Sequence, residues 1–220
     1  MKLDLPWMDH PGTRAVTAAL GKAHQVYFVG GCVRNGLMGR PVDDIDIATD
    51  ATPDQVTALA EGAGLKPVPT GADHGTVTVV AGGRAHEVTT FRRDIATDGR
   101  RAEVRFATDM AEDAARRDFT INALYADPEG RVHDPNGQGL EDLAARRVRF
   151  IGDANARVTE DYLRILRFFR FHAWYADPKG GLDAGGLAAA ARHADGLARI
   201  SRERIGAEMK KLLAAPDPAP

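Results

Sequence analysis

Two carboxylates one residue apart, in Asp44-Ile-Asp46, carry the clearest chemical potential in this 220-residue sequence. Residues two apart on a strand point to one face, so Asp44 and Asp46 project together while Ile45 and Ile47 enter the core. Neighbouring carboxylates repel one another. A pair of Mg²⁺ ions removes that repulsion in phosphoryl-transfer sites, one ion activating an attacking hydroxyl and the other neutralising a triphosphate. The triplet is too common on surface strands to define such a site alone, so its company matters. Upstream stands Gly30-Gly31-Cys32-Val33-Arg34, a glycine turn into a helix: Gly31 lets the backbone approach a phosphate, and Arg34 adds a charged donor one turn in. Downstream, Glu87 lies on a strand that can face the same edge, where a third carboxylate would help deprotonate an attacking hydroxyl.

A second group sits far along the chain. Asp161, Arg164, Arg167 and Arg170 are spaced by three, which on a helix over residues 159–175 makes one continuous ridge. Leu163, Ile165, Leu166, Phe168, Phe169 and Phe171 flank it on both sides, so this helix is poorly suited to solvent. Buried guanidinium groups need anionic partners, and a triphosphate is the obvious one.

The elements that must position these groups alternate through the first two thirds of the chain. Gln25-Val-Tyr-Phe-Val-Gly30 reads as a buried strand, followed by a short helix over 32–38 and a second strand over 44–49. Thr52-Pro53 supplies an N-cap with proline in the first turn, predicting a helix over 53–61. Segments 75–80 and 85–91 flank Gly82-Gly83 as a hairpin. Residues 92–105, rich in Arg and Asp, show no apolar period and are expected to form a mobile loop. Thr108 is expected to cap a helix running to residue 116, and 119–126 to return as a strand. After 148–151 the pattern becomes helical, over 159–175, 187–197 and 201–213, which places a domain boundary near residue 147. The Pro-rich end, 216–220, reads as a frayed tail.

Composition narrows the class. A 44% hydrophobic content supports a buried core, and no apolar run approaches the length of a membrane span. The N-terminus lacks a signal-peptide apolar stretch, and the single Cys32 has no disulfide or zinc companion, so the expected compartment is the cytoplasm. A net charge of −2 argues against indiscriminate coating of nucleic acid, yet 16 of the 23 arginines fall between Arg84 and Arg170. The seven histidines show no paired ligand spacing.

Four ordered motifs, Val29-Gly-Gly-Cys-Val-Arg-Asn-Gly-Leu-Met-Gly-Arg40 with Asp44-Ile-Asp46, Glu87-Val-Thr-Thr-Phe-Arg92, Arg116-Arg-Asp-Phe-Thr-Ile-Asn122 and Glu160-Asp-Tyr-Leu-Arg-Ile-Leu-Arg167, resemble the bacterial class II CCA-adding enzymes of the tRNA nucleotidyltransferase and poly(A) polymerase family. The resemblance implies an α/β fold: a DNA-polymerase-β-like nucleotidyltransferase head with a mixed sheet over residues 1–147, then a mostly helical neck over 148–220. It implies ATP and CTP as substrates, the tRNA 3′ end as primer, and a two-metal Mg²⁺ site on Asp44 and Asp46. Arg117 would reach the phosphates, and Asp118 and Asn122 would contact ribose or order the site. Asp161 and Arg164 would form a protein template: the carboxylate accepts from the amino group that cytosine and adenine share, and faces uracil or guanine acceptor to acceptor. The stretch 92–101 resembles the loop the family uses in switching from C to A addition. Poly(A) or A-only addition, and nucleotide binding without catalysis, are the alternatives. Asn35 departs from an aspartate common at that place, and the family's body and tail helices, which grip tRNA, lie beyond what these residues supply.

Overall fold

The structure is a computed structural model that describes residues 1–71, 75–95 and 103–218. The chain forms two compact units, Met1–Arg116 with Asn122–Pro135, and Arg117–Ile121 with Asn136–Pro220. The boundary expected near 147 differs from this division in two stretches. Residues 136–147 go with the helices because Asp142, fully buried, accepts from two of the Arg149 guanidinium nitrogens, Nε at 3.0 Å and Nη2 at 2.9 Å. Residues 117–121 do so because the Phe119 ring packs on Phe150 and Phe171, with centroids 4.8 and 4.9 Å apart.

The first unit is built on a seven-stranded mixed sheet. In chain order its strands are β1 (Val26–Val29), β2 (Ile45–Thr49), β3 (Lys66–Gly71), β4 (Thr76–Ala81), β5 (Arg84–Thr90), β8 (Tyr125–Ala126) and β9 (Val132–His133), arranged β3-β4-β5-β2-β1-β8-β9. β2 and β5 run parallel, and the other pairs are antiparallel. The β4–β5 hairpin turns through Gly82 and Gly83 at φ 58° and 76°, the left-handed pair that the twist of a tight hairpin demands. Helices α1 (Pro11–Leu20) and α3 (Pro53–Gly62) complete the core, α3 starting in the expected capping box of Thr52 and Gln55. Buried His86 on β5 meets Thr13 of α1 at 3.0 Å, so α1 covers the sheet face that also carries Ile45, Ile47 and Val88. Asp46 and Glu87 alternate with these residues and therefore take the opposite face.

Two expectations in this unit change. Residues 92–105 are not all loop: β6 (Arg92–Ile95) and β7 (Glu103–Phe106) pair antiparallel as a separate ribbon. Their polar sequence lacks the apolar alternation by which strands are recognised, and Asp113 helps fix the ribbon by accepting from the Arg92 amide at 3.2 Å. The stretch suggested for C-to-A switching lies largely outside the described residues. Helix α4 (Met110–Ala115) is capped by Asp109, whose Oδ1 accepts from Ala111 N at 2.9 Å, and not by Thr108.

The segment 119–126 is a strand only at its end. Phe119 makes a single bridge to Phe150, Thr120–Asn122 form a 3₁₀ turn, and β8 follows. The Thr120 hydroxyl donates to buried Asp142 at 2.6 Å, a bond that a continuous strand would not direct there.

The second unit contains α5 (Gly139–Ala144), α6 (Ala154–Glu160), α7 (Leu163–Tyr175), α8 (Ala184–Arg192), a 3₁₀ helix (Ala194–Arg199) and α9 (Arg202–Leu213). The helix expected over 159–175 is broken at Asp161, which adopts φ −152° and ψ 104°. Its Oδ1 accepts from Leu163 N at 3.1 Å and its carbonyl from Arg164 N at 2.9 Å, so this aspartate acts as a local cap that competes with continued helix. The helix expected over 187–197 likewise resolves into α8 and the 3₁₀ segment.

Candidate nucleotidyl-transfer site

Within the first unit, the expected catalytic carboxylates share one end of the sheet. Asp46 on β2 stands in register with Glu87 on β5, as Cα partners of a parallel pair. Asp44 is exposed just before β2, and Glu87 is exposed between buried His86 and Val88. Neighbouring strands are about 4.8 Å apart, so Asp46 and Glu87 emerge side by side from one face. Because β1 runs antiparallel to β2 with Phe28 opposite Ile47, the turn leaving β1 lies at the end where β2 begins. That turn is Gly30, at φ 70°, which starts α2 (Gly31–Leu37).

The backbone at this end is tied down. Cys32 donates its thiol to the carbonyls of Val29 at 3.3 Å and Asp46 at 3.7 Å, linking the start of α2 to the carboxylate-bearing strand. Its side chain is buried as expected, and burial, with Asp46 adding to it, pushes the thiol pKa up to about 11. Space beside Gly31 is open: a Cβ there would meet only the Arg34 guanidinium, at 3.8 Å. Arg34 itself is buried and held by its neighbours, donating to Asn35 Oδ1 through Nε at 3.1 Å and Nη2 at 2.8 Å, and to Asn122 Oδ1 through Nη1. Asn35 in turn donates to the Pro41 carbonyl at 3.0 Å. An asparagine at this place thus still serves as the acceptor that orients Arg34.

The donors fit a hard divalent cation, since carboxylate oxygens are the ligands such ions take. Among the described residues no three His, Cys, Asp or Glu side chains already converge as a metal group. That is compatible with a Mg²⁺-type site, which commonly uses one or two carboxylates and completes its octahedron with water and substrate phosphates.

In the second unit, the arginine ridge is neutralised from within. Arg167 donates to Asp118 Oδ2 through Nε at 2.8 Å; burial alone would lower its pKa, but Asp118, with Glu208 and Asp161 adding to it, raises it and holds the guanidinium charged. Arg170 is paired with Glu208 at 2.5 Å and lies 4.4 Å above the Phe171 ring. Arg164 donates to the Arg157 carbonyl at 2.8 Å and pairs with Glu160. The inference that buried arginines here require a triphosphate is therefore corrected: protein carboxylates already meet that need. Asp161 belongs to the helix break and not to the ridge, and its Oδ2 accepts from Arg204 Nη2 at 2.7 Å instead of pairing with Arg164. Arg116 is structural, giving Nε and Nη2 to Asp113 at 2.9 and 2.7 Å, while Arg117 is half-buried.

Sequence reading passed over Glu160, Arg204 and Glu208 as partners of the ridge. Glu160 was within reach of the helix rule for side chains four apart, which pairs it with Arg164. Nothing local marks Arg204 or Glu208, because both meet their partners across about forty residues of chain.

Residues 26–149 match a family described as the poly(A) polymerase head domain. The chain is 45% identical over 218 residues to the mitochondrial CCA tRNA nucleotidyltransferase 1 of Homo sapiens, covering 97% of this chain and 50% of that protein. It is 46% identical over 200 residues to the CCA-adding enzyme of Geobacillus thermodenitrificans, covering 88% and 46%. Its structure resembles the Bacillus stearothermophilus CCA-adding enzyme in complex with CTP, with a TM-score of 0.85 and 39% identity, over 97% of this chain and 50% of that one. The chain thus spans about half the length of the curated relatives it matches. The mixed sheet and helical unit agree with the expected nucleotidyltransferase fold, and among the described residues no helix is long and apolar enough to cross a membrane.

Proposed function

Because the chain belongs to the tRNA nucleotidyltransferase and poly(A) polymerase family, we propose that it carries the catalytic part of an enzyme adding C, C and A to the tRNA 3′ end from CTP and ATP. The observation that carries this reading is the register of Asp46 beside Glu87 at the sheet end where the Gly30 turn delivers α2. Asp44 and Asp46 would hold the divalent cation, which we assign as Mg²⁺ in a two-ion arrangement. When bound, it would lower the pKa of the primer hydroxyl and offset triphosphate charge. Glu87 would accept the hydroxyl proton. The primer 3′ oxygen then bonds to the α-phosphorus in line as the bond to the bridging oxygen breaks, and pyrophosphate leaves.

The remaining roles are those that the family's motifs imply for these positions. Gly31 leaves room for phosphate beside the α2 backbone, and Arg34, fixed by Asn35 and Asn122, adds positive charge at that end. Arg117 is assigned to phosphate. Asp161 and Arg164 are assigned to the base edge, Arg164 leaving Glu160 to do so. Arg167 and Arg170 support the nucleotide indirectly, fixing α7 through Asp118 and Glu208. The expected setting is the cytoplasm.

The test is extension of a tRNA lacking its terminal nucleotides with each of the four nucleoside triphosphates, by the chain alone and mixed with a C-terminal half taken from a full-length relative. Addition of C then A is the expected product. Addition of A alone would move the assignment to an A-adding or poly(A)-forming relative, and ATP binding without transfer in either condition would overturn catalysis.

A further inference from the structure

Asp161 is poor at holding a fixed orientation by itself. It sits in a break between two helices with a third of its side chain exposed, and its own helix ties the carboxylate only through the Leu163 amide, at 3.1 Å. A base-reading acceptor has the opposite requirement, since discrimination between an amino group and a carbonyl depends on where the oxygen lone pairs point. Both Asp161 oxygens are engaged in the structure, Oδ1 by the Leu163 amide at 3.1 Å and Oδ2 by Arg204 Nη2 at 2.7 Å. Each oxygen accepts one of these bonds and has capacity for another.

Arg204 is delivered to this point by the construction of α9. Ser201 caps the helix, accepting from Arg204 N at 3.4 Å, which sets where its first turn begins. Arg204 and Glu208 are four apart and share a face. Glu208, almost wholly buried, holds Arg170 in the middle of α7, and one turn on the Lys211 carbonyl accepts from Trp174 Nε1 at 2.9 Å. These two contacts fix how far α9 can slide along α7, and so fix where the Arg204 guanidinium arrives. Tyr162, the other residue of the break, is held from a different side. A Cβ on Gly196 would fall 2.1 Å from its ring, and the Arg199 guanidinium lies 5.6 Å from the ring centroid. Both residues of the break are thus positioned by elements C-terminal to α7.

We infer that Arg204 is a positioning residue for nucleotide choice, clamping one oxygen of Asp161 so that the carboxylate presents its remaining lone pairs to the incoming base in a fixed direction. This rests on the assignment of Asp161 to the base edge. Arg204 itself need not touch the nucleotide, and its loss leaves the metal-binding carboxylates unchanged.

The experiment is equilibrium binding of CTP and UTP, with Mg²⁺, to the native chain and to the Arg204→Ala, Arg204→Lys and Asp161→Ala variants. Thermal melting and circular dichroism check that each is folded; Arg204 is half exposed, so its removal leaves α9 held by Glu208. In the native chain CTP should bind more tightly than UTP. Arg204→Ala should shrink that preference several-fold, chiefly by improving UTP relative to CTP, and Arg204→Lys should restore part of it through a single charged donor. Asp161→Ala should remove the preference, and adding Arg204→Ala to it should change nothing further. A preference lost in Asp161→Ala but intact in Arg204→Ala would overturn the positioning role alone. Equal binding of CTP and UTP by the native chain, or an unchanged preference in Asp161→Ala, would overturn the base-edge assignment beneath it.

Discussion

Replacing Glu208 with glutamine isolates the buried ion pair that holds α9 to α7. Arg170 and Glu208 have side chains only 12% and 5% exposed, with Nε and Oε1 2.5 Å apart. Glutamine keeps the shape and one acceptor but removes the anion, leaving the Arg170 guanidinium over the Phe171 ring without the carboxylate that now offsets it. Breaking one side of a buried pair costs about 3–5 kcal/mol, and the retained acceptor puts this change near the lower end, at about 3 kcal/mol. That is a large share of a domain stability of about 5–15 kcal/mol. Removing both partners, as in Arg170→Met with Glu208→Leu, should recover most of the loss, because apolar replacement of a whole buried pair is often close to neutral. Urea unfolding followed by tryptophan fluorescence suits the measurement, since Trp174 on α7 donates to the Lys211 carbonyl of α9 and reports this contact. A loss below about 1 kcal/mol for Glu208→Gln, the range of solvated surface pairs, would refute the claim that this pair anchors the helix.

Asn122→Ala removes one acceptor from buried Arg34 and should cost about 1–3 kcal/mol by urea unfolding, with weaker triphosphate binding in calorimetry; unchanged affinity would separate Arg34 from the phosphate site. Gly196→Ala forces a Cβ to within 2.1 Å of the Tyr162 ring, and should destabilise the helical unit by about 1–3 kcal/mol and lower its melting temperature. His86 and His172 are buried, and burial lowers the pKa of each. Unfolded histidine titrates near pH 6.5; with a lower folded pKa, each contributes stability present above that pH and lost as pH falls below it. Urea midpoints should therefore drop on acidification through this window, and less so in His86→Gln.

The sheet end was legible in the sequence because its signals are local. Asp44 and Asp46 announce themselves by alternation with Ile45 and Ile47, the Gly30 turn by its glycine pair, and Thr52 by its capping partner Gln55. Glu87 was placed correctly as a strand residue, but its register opposite Asp46 is a property of parallel pairing across some forty residues, which no local period encodes. The ridge was half legible. Its threefold spacing gave Arg164, Arg167 and Arg170 on α7, while Asp161 proved to cap the helix it was expected to join, an outcome open to any aspartate whose side chain competes for nearby amides. Charge neutralisation was misread because Asp118 and Glu208 come from distant parts of the chain, and a sequence shows a buried cation more readily than the anion that meets it. The β6–β7 ribbon went unread for a related reason: its strands are polar, so neither hydrophobic period marks them.

Nucleotidyl transfer with the metal held by Asp44 and Asp46 is the activity proposed for this chain. Its most direct test is divalent-cation-dependent transfer of labelled CMP to tRNA lacking its terminal nucleotides, comparing the native chain with Asp44→Ala and Asp46→Ala, each supplemented with the same C-terminal half. Transfer by the native chain that vanishes on chelation and is reduced to background by either substitution, with folding intact, is the predicted result. Transfer at the native rate by both variants would contradict the account.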